Sequence, residues 1–162
     1  MEFIEPISIG QRIRYALQHN DGRIVLWTDS NLLVFLEKGE ADPTSVFVEN
    51  FIDGLDVEPE IKSTITATLE ECQNCHSLTP DEHRAGPALG QIAGRPFGST
   101  KFANYSNAIQ ATDGIWDRDT LIAFLKDSQS VVPGTVMPSP QMENNETTEA
   151  IADLLVALVH YD

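Results

Sequence analysis

The chain has 162 residues, 41% of them hydrophobic, and a formal net charge of −15. That length is enough to bury a real core, and the charge argues against nucleic acid and anionic membrane surfaces, both of which require clustered Lys and Arg. No apolar run approaches the ~20 residues of a membrane span; "IADLLVALV" is broken by Asp153 and reads as a helix face. The start, "MEFIEPISIG", has no basic residue and no long apolar stretch, so no secretory signal is read in it. Acids are spread along both halves rather than gathered in a tail, and the net charge favours a partner with a positive docking patch or no freely diffusing partner at all.

Residues 1–57 read as a β extension. In "RIRYAL", Ile13, Tyr15 and Leu17 share a face, with Arg12 and Arg14 between them. "RIVLWT" and "LLVFL" follow, rich in β-branched and aromatic residues. "NDG" at 20–22 and "TDSN" at 28–31 supply the turns. A three-stranded antiparallel meander over about residues 11–37 is expected, with "EKGEADPTS" as a loop after it.

Residues 58–162 read as α. "PEIKSTITATLEECQNCH" starts on Pro59 and repeats apolar residues at Ile61, Ile65 and Leu69. "DRDTLIAFLKDS" has Asp117 as its N-cap, with Leu121, Ile122 and Leu125 on one side. "NETTEAIADLLVALVHY" forms the last helix. Between the first two lies "AGPALGQIAGRPFGSTKFANYS", too long to be an empty loop in a compact domain. It is expected to wrap something other than side chains.

Both cysteines of the chain lie in "CQNCH", residues 72–76, with a histidine directly after. C-x-x-C-H is the attachment signature of a c-type haem. Cys72 and Cys75 would form the two thioethers, and His76 would bind the iron from below. Two other readings compete. A thioredoxin-like redox pair wants a strand before the motif, where a helix is expected here. A zinc site wants further regularly spaced Cys or His ligands, whereas His19, His83 and His160 are scattered. A second axial ligand is usually methionine, whose soft thioether raises the potential. Met137, in "VVPGTVMPSP", sits between stiffening prolines; Met142, in "QMENN", is the other candidate, and packing in the core is the plain role for either.

From here the sequence resembles the class I c-type cytochromes, and their mitochondrial-like branch in particular. The resemblance covers about residues 60–161 and rests on "CQNCH", "GPALGQIAGRPFGS", "YSNAI", "GIWDRDTLIAFL" and "VVPGTVMP" in that order, followed by the last helix. It implies a mainly α fold: helices around one haem, the first and last crossing, preceded here by the small antiparallel β meander. It implies one covalent haem c, with His76 and Met137 as axial ligands. Pro87 matches the proline whose carbonyl accepts the ring N–H of the proximal histidine. Arg95, Tyr105 and Trp116 match residues that hold the haem propionates, and Thr135 a hydroxyl near them. Leu121 and Leu125 match the apolar wall.

The chain also departs from the family pattern. Phe124 stands where that branch has a tyrosine bonded to the methionine sulfur. Val136 replaces a lysine just before the methionine, and Ser139 an aromatic two positions after it. The basic ring around the haem edge is missing. The helix before the haem motif lacks the usual Gly/aromatic pair at its crossing with the last helix.

The meander resembles one blade of a β-propeller dehydrogenase of the sorbosone or glucose quinoprotein kind, in which a cytochrome domain can follow the propeller. An accessory hairpin is the simpler reading. Two domains are thus expected, 1–57 and 58–162. The expected function is one-electron transfer, not enzyme chemistry, in the periplasm. The donor would be a quinoprotein dehydrogenase and the acceptor a downstream oxidase or cytochrome, with dimerisation through the N-terminal strands. If Met137 does not bind the iron, an open site would suit a peroxidase or gas sensor.

Overall fold

A computed structural model describes residues 12–36, 42–140, 142 and 144–160. The chain divides into two compact units, Met1–Ala41 and Asp42–Asp162.

The first unit is the expected meander. Strands β1 (Ile13–Gln18), β2 (Ile24–Thr28) and β3 (Leu33–Leu36) form one antiparallel sheet in the order β1-β2-β3. Gly22 at φ 90° and Asn31 at φ 58° make the two turns, where glycine and asparagine tolerate positive φ best. A register shift between Ile13 and Tyr15 marks an irregularity in β1. Tyr15, Trp27 and Leu33 are cross-strand neighbours in one row, and all three are exposed.

The second unit starts earlier than the sequence suggested. Helix α1 (Pro43–Asp53) lies inside the stretch read as extension and loop. Asp42 caps it by accepting the Ser45 N–H, and Pro43 takes the first helical turn, a pairing that starts helices well. The boundary between compact units therefore falls at 41/42, not at 57/58. Residues 37–41 of the expected loop lie outside the described residues.

Helices α2 (Pro59–Gln73), α3 (Asn107–Ala111), α4 (Arg118–Lys126), α5 (Ser128–Val131) and α6 (Asn145–Ala157) follow, ending in a 3-10 turn, Leu158–His160. Helix α6 packs against both α2 and α4, and α1 packs on α2. The crossing of the first and last cytochrome helices expected from the resemblance is therefore present without the usual Gly/aromatic pair. Ile65 of α2 and Ile151 and Leu154 of α6 are fully buried there. Each such side chain stabilises the fold by about 1.5–3 kcal/mol. Arg118 of α4 reaches Asp153 of α6 through Nε at 2.5 Å and Nη2 at 3.0 Å.

Asp117 caps α4 by accepting the Thr120 N–H at 2.8 Å. Hydrogen bonds from the Thr120 backbone, then its side chain, hold the Asp117 carboxyl below the usual carboxylate range. A lowered folded value means the stabilisation is complete above the unfolded carboxyl's pKa of about 3.9 and fades as pH falls through the folded value. Asp117→Ala should therefore lower Tm at neutral pH. The gap to wild type should narrow as pH falls below about 3.9, as thermal melts along a descending pH series would show.

Candidate cofactor cavity at the end of α2

Cys72 lies in the last turn of α2, and the chain turns sharply after it: the N–H groups of Cys75 and His76 both donate to the Cys72 carbonyl, at 3.2 and 3.0 Å. The turn presents Cys72, Cys75 and His76 to one cavity of about 410 Å³, within the ~300–1,000 Å³ usual for small-molecule and cofactor sites. Leu69 of α2, Leu121, Phe124 and Leu125 of α4, and Ile151 and Leu155 of α6 form its apolar walls. Cys72 is half-buried and Cys75 exposed, and both are free. Burial, with the Glu71 carboxylate adding to it, pushes the Cys72 thiol up, so it stays neutral against the apolar wall.

His76 is buried, and its Nδ1 sits 2.6 Å from the Pro87 carbonyl oxygen. A carbonyl only accepts, so Nδ1 carries the proton and Nε2 keeps a free lone pair. Gly86 packs flat against the ring: a Cβ there would fall 2.4 Å from Cε1 and 2.7 Å from Nδ1. The Gly86 N–H in turn donates to the Cys75 carbonyl at 2.7 Å. His83 holds the same loop from behind, its Nδ1 accepting the Ala88 N–H at 3.0 Å. The Pro87 C=O and the Ala88 N–H belong to one peptide unit, so the two histidines grip it from opposite edges. His83 Nε2 is buried with no hydrogen-bond partner among the described residues.

The sequence-distant polar residues converge as well. Residues 94–97 and 114–116 pair as a short antiparallel bridge: the Gly94 N–H donates to the Trp116 carbonyl at 2.8 Å, and the Trp116 N–H to the Arg95 carbonyl at 2.9 Å. This places Arg95 beside Trp116. Trp116 is fixed between Phe97, at 4.2 Å between ring centroids, and Phe124, edge-on at 4.9 Å. The Tyr105 hydroxyl lies 2.7 Å from the Thr100 hydroxyl. Arg95, Tyr105, Trp116 and Thr135 all line the cavity.

Met137 lines the cavity and Met142 does not; Met142 packs against the core instead. All eleven residues singled out from the sequence (Cys72, Cys75, His76, Pro87, Arg95, Tyr105, Trp116, Leu121, Leu125, Thr135 and Met137) border this one space. Sequence reasoning did not single out Gly86, His83 or the α5 residues that hold the Met137 loop. The one visible sign was that Gly86 and Pro87 sit together in "GPALG". Among the described residues, no three His, Cys, Asp or Glu side chains gather as a metal site, which weighs against the zinc reading.

The donor set fits a haem. It offers two thiols on one turn, an imidazole Nε2 with its lone pair free, a thioether on another segment, and apolar walls between them. No family model matches the chain. A "cytochrome c homolog" of Rickettsia bellii is 37% identical over 109 residues, covering 64% of this chain and 61% of that protein. The chain thus spans about three fifths of the length of that relative. Cytochrome c2 of Rhodoplanes tepidamans is 30% identical over 95 residues, 58% of this chain and 86% of that protein. Among solved structures, cytochrome cH from Methylobacterium extorquens superposes with a TM-score of 0.52 at 24% identity, over 59% of this chain and 96% of that one, which shows the fold. The chain belongs to the class I c-type cytochromes, whose cofactor is a single covalently attached haem c.

Proposed function

We propose that the protein is a one-electron carrier in which Cys72 and Cys75 hold the haem by thioethers and His76 and Met137 ligate its iron from the two sides. The observation that carries this reading is the shared cavity: His76, with Nε2 left free by its bond to Pro87, and Met137 border the same space from different segments. When bound, the haem supplies an iron that changes its charge by one. The chain's own residues exclude water along the α2, α4 and α6 walls and fix the imidazole. Arg95, Tyr105, Trp116 and Thr135 supply polar groups in the cavity lining that would suit propionates. His76 and Met137 together would leave the iron no place for substrate.

The donor proposed is a periplasmic dehydrogenase of the quinoprotein kind, and the acceptor a downstream oxidase or cytochrome. The net charge of −15 supports a donor or acceptor with a basic docking face. The three-stranded unit supports, as part of the same proposal, a blade left from a fused propeller or a dimer formed through the strands, since among the described residues β1 and β3 are both edge strands. Among the described residues no helix is long and apolar enough to cross a membrane.

The test is an absorption spectrum of the purified protein, oxidised and then dithionite-reduced, repeated after denaturation and organic extraction. Pigment that stays with the chain, and a weak far-red band in the oxidised state, are the expected results. Pigment that leaves on extraction would end the thioether reading. A missing far-red band would remove Met137 as ligand and restore the open-site alternative, a peroxidase or gas sensor.

A further inference from the structure

The loop that carries Met137 is tied to the short helix α5 by side chains that do not reach the cavity. Ser128, fully buried at the start of α5, donates its hydroxyl to the Met137 carbonyl at 2.9 Å. Its N–H donates to the Ser139 hydroxyl oxygen at 3.0 Å, and the two hydroxyl oxygens are 3.0 Å apart. A serine hydroxyl has one proton. Ser128 gives its proton to Met137, so Ser139 is the donor within the pair. On the other side of the residue, the Met137 N–H reaches the Thr135 hydroxyl at 3.4 Å. Met137 is thus held by hydroxyls at both its amide and its carbonyl.

One residue along α5, Gln129 secures the turn before the ligand. Its Nε2 donates to the Thr135 carbonyl at 2.8 Å, and its Oε1 accepts the Gly134 N–H at 3.0 Å. Neither Ser128, Gln129 nor Ser139 lines the cavity. Ser139 also occupies the position where the family pattern has an aromatic ring. Hydrogen bonds here do the holding that ring packing would otherwise do. A thioether carries no charge and binds weakly, so its grip on a metal depends on how firmly its backbone is placed.

We propose that Ser128, acting with Ser139, is the positioning residue that sets how strongly Met137 holds the sixth iron position. The inference rests on the Met137 ligation proposed above. The test uses the full haem-bearing chain, oxidised, titrated with imidazole well below its melting temperature while the far-red band is followed. Breaking a buried hydrogen bond of this kind in Ser128→Ala should let imidazole displace Met137 about tenfold more tightly. Ser139→Ala keeps the bond to Met137 but loses its support, and should give a shift of about threefold. Because the two hydroxyls act as one unit, the double variant should be less than the product of the singles. Gln129→Ala acts through a separate turn, so its effect should multiply with that of Ser128→Ala. A merely structural role would lower Tm without moving the imidazole titration.

If wild type shows no far-red band, Met137 ligation fails and the inference falls with it. If wild type shows the band and Ser139→Ala titrates like wild type, the clamp is overturned while Met137 ligation stands. That second variant decides the matter even if Ser128→Ala does not fold.

Discussion

Gly86→Ala is expected to abolish recovery of haem-bearing protein. The added Cβ would lie 2.4 Å from His76 Cε1, 2.7 Å from Nδ1 and 3.0 Å from Nε2. The ring cannot retreat, because its Nδ1 is fixed to the Pro87 carbonyl at 2.6 Å. The backbone cannot yield easily either, because the Gly86 N–H is tied to the Cys75 carbonyl, inside the attachment turn itself. One methyl group therefore strikes the His76 ring and the Cys72–His76 turn together. Gly94→Ala is the matched control: its φ is +80°, but nothing lies within 4 Å of the added Cβ. There the cost is backbone strain alone, about 1–2 kcal/mol, and pigmented protein should still form. Yield of haem-bearing protein and the reduced-state spectrum, compared across the two variants, check the argument.

Met137→Ala should leave the haem attached and change nearly everything else about it. Cys72, Cys75, His76 and the His76–Pro87 bond are untouched, so the pigment should survive denaturation and extraction. The far-red band should vanish, and added imidazole should bind without a competitor. On the proposed Met137 ligation, loss of the soft thioether removes a ligand that favours Fe(II), so the reduction potential should fall. The fall should be a sizeable part of the ~0.8 V range that axial ligands command. Redox titration of the variant beside wild type measures it. An unchanged potential and band would show that Met137 lies in the cavity without binding the iron.

The parts of this protein legible in the sequence were those governed by local rules. Asp117 before "RDTLIAFL", Pro59 at the start of α2 and the long amphipathic run of α6 all carry their own start signals or periodicity. The meander was legible through its turns, where Gly22 and Asn31 take positive φ. Helix α1 was equally local, with Asp42 and Pro43 at its head. It was missed because "DPTS" was taken with the polar residues before it as loop. Helices α3 and α5 have five and four residues, too short to stand without tertiary support, and so leave little periodic trace. The cavity residues were found through the haem motif and the family resemblance. The Ser128–Met137–Ser139 contacts were not found. They link residues nine and eleven positions apart across a proline-rich loop, and only the folded path of that loop brings them together.

The cavity takes its lining from Thr68 to Leu155, yet on the proposed attachment its occupant would be anchored within one turn, at Cys72 and Cys75. A dissociable cofactor would stabilise the fold in proportion to its free concentration. A tethered one acts at an effective concentration set by the linker, and in the proposed attachment the linker would be two thioether bonds. Unfolding would then not release it, and dilution would not weaken it. The refolding rate and midpoint should then not respond to added free haem. The denatured chain would carry the centre of its own core, already fastened beside the histidine proposed to receive it.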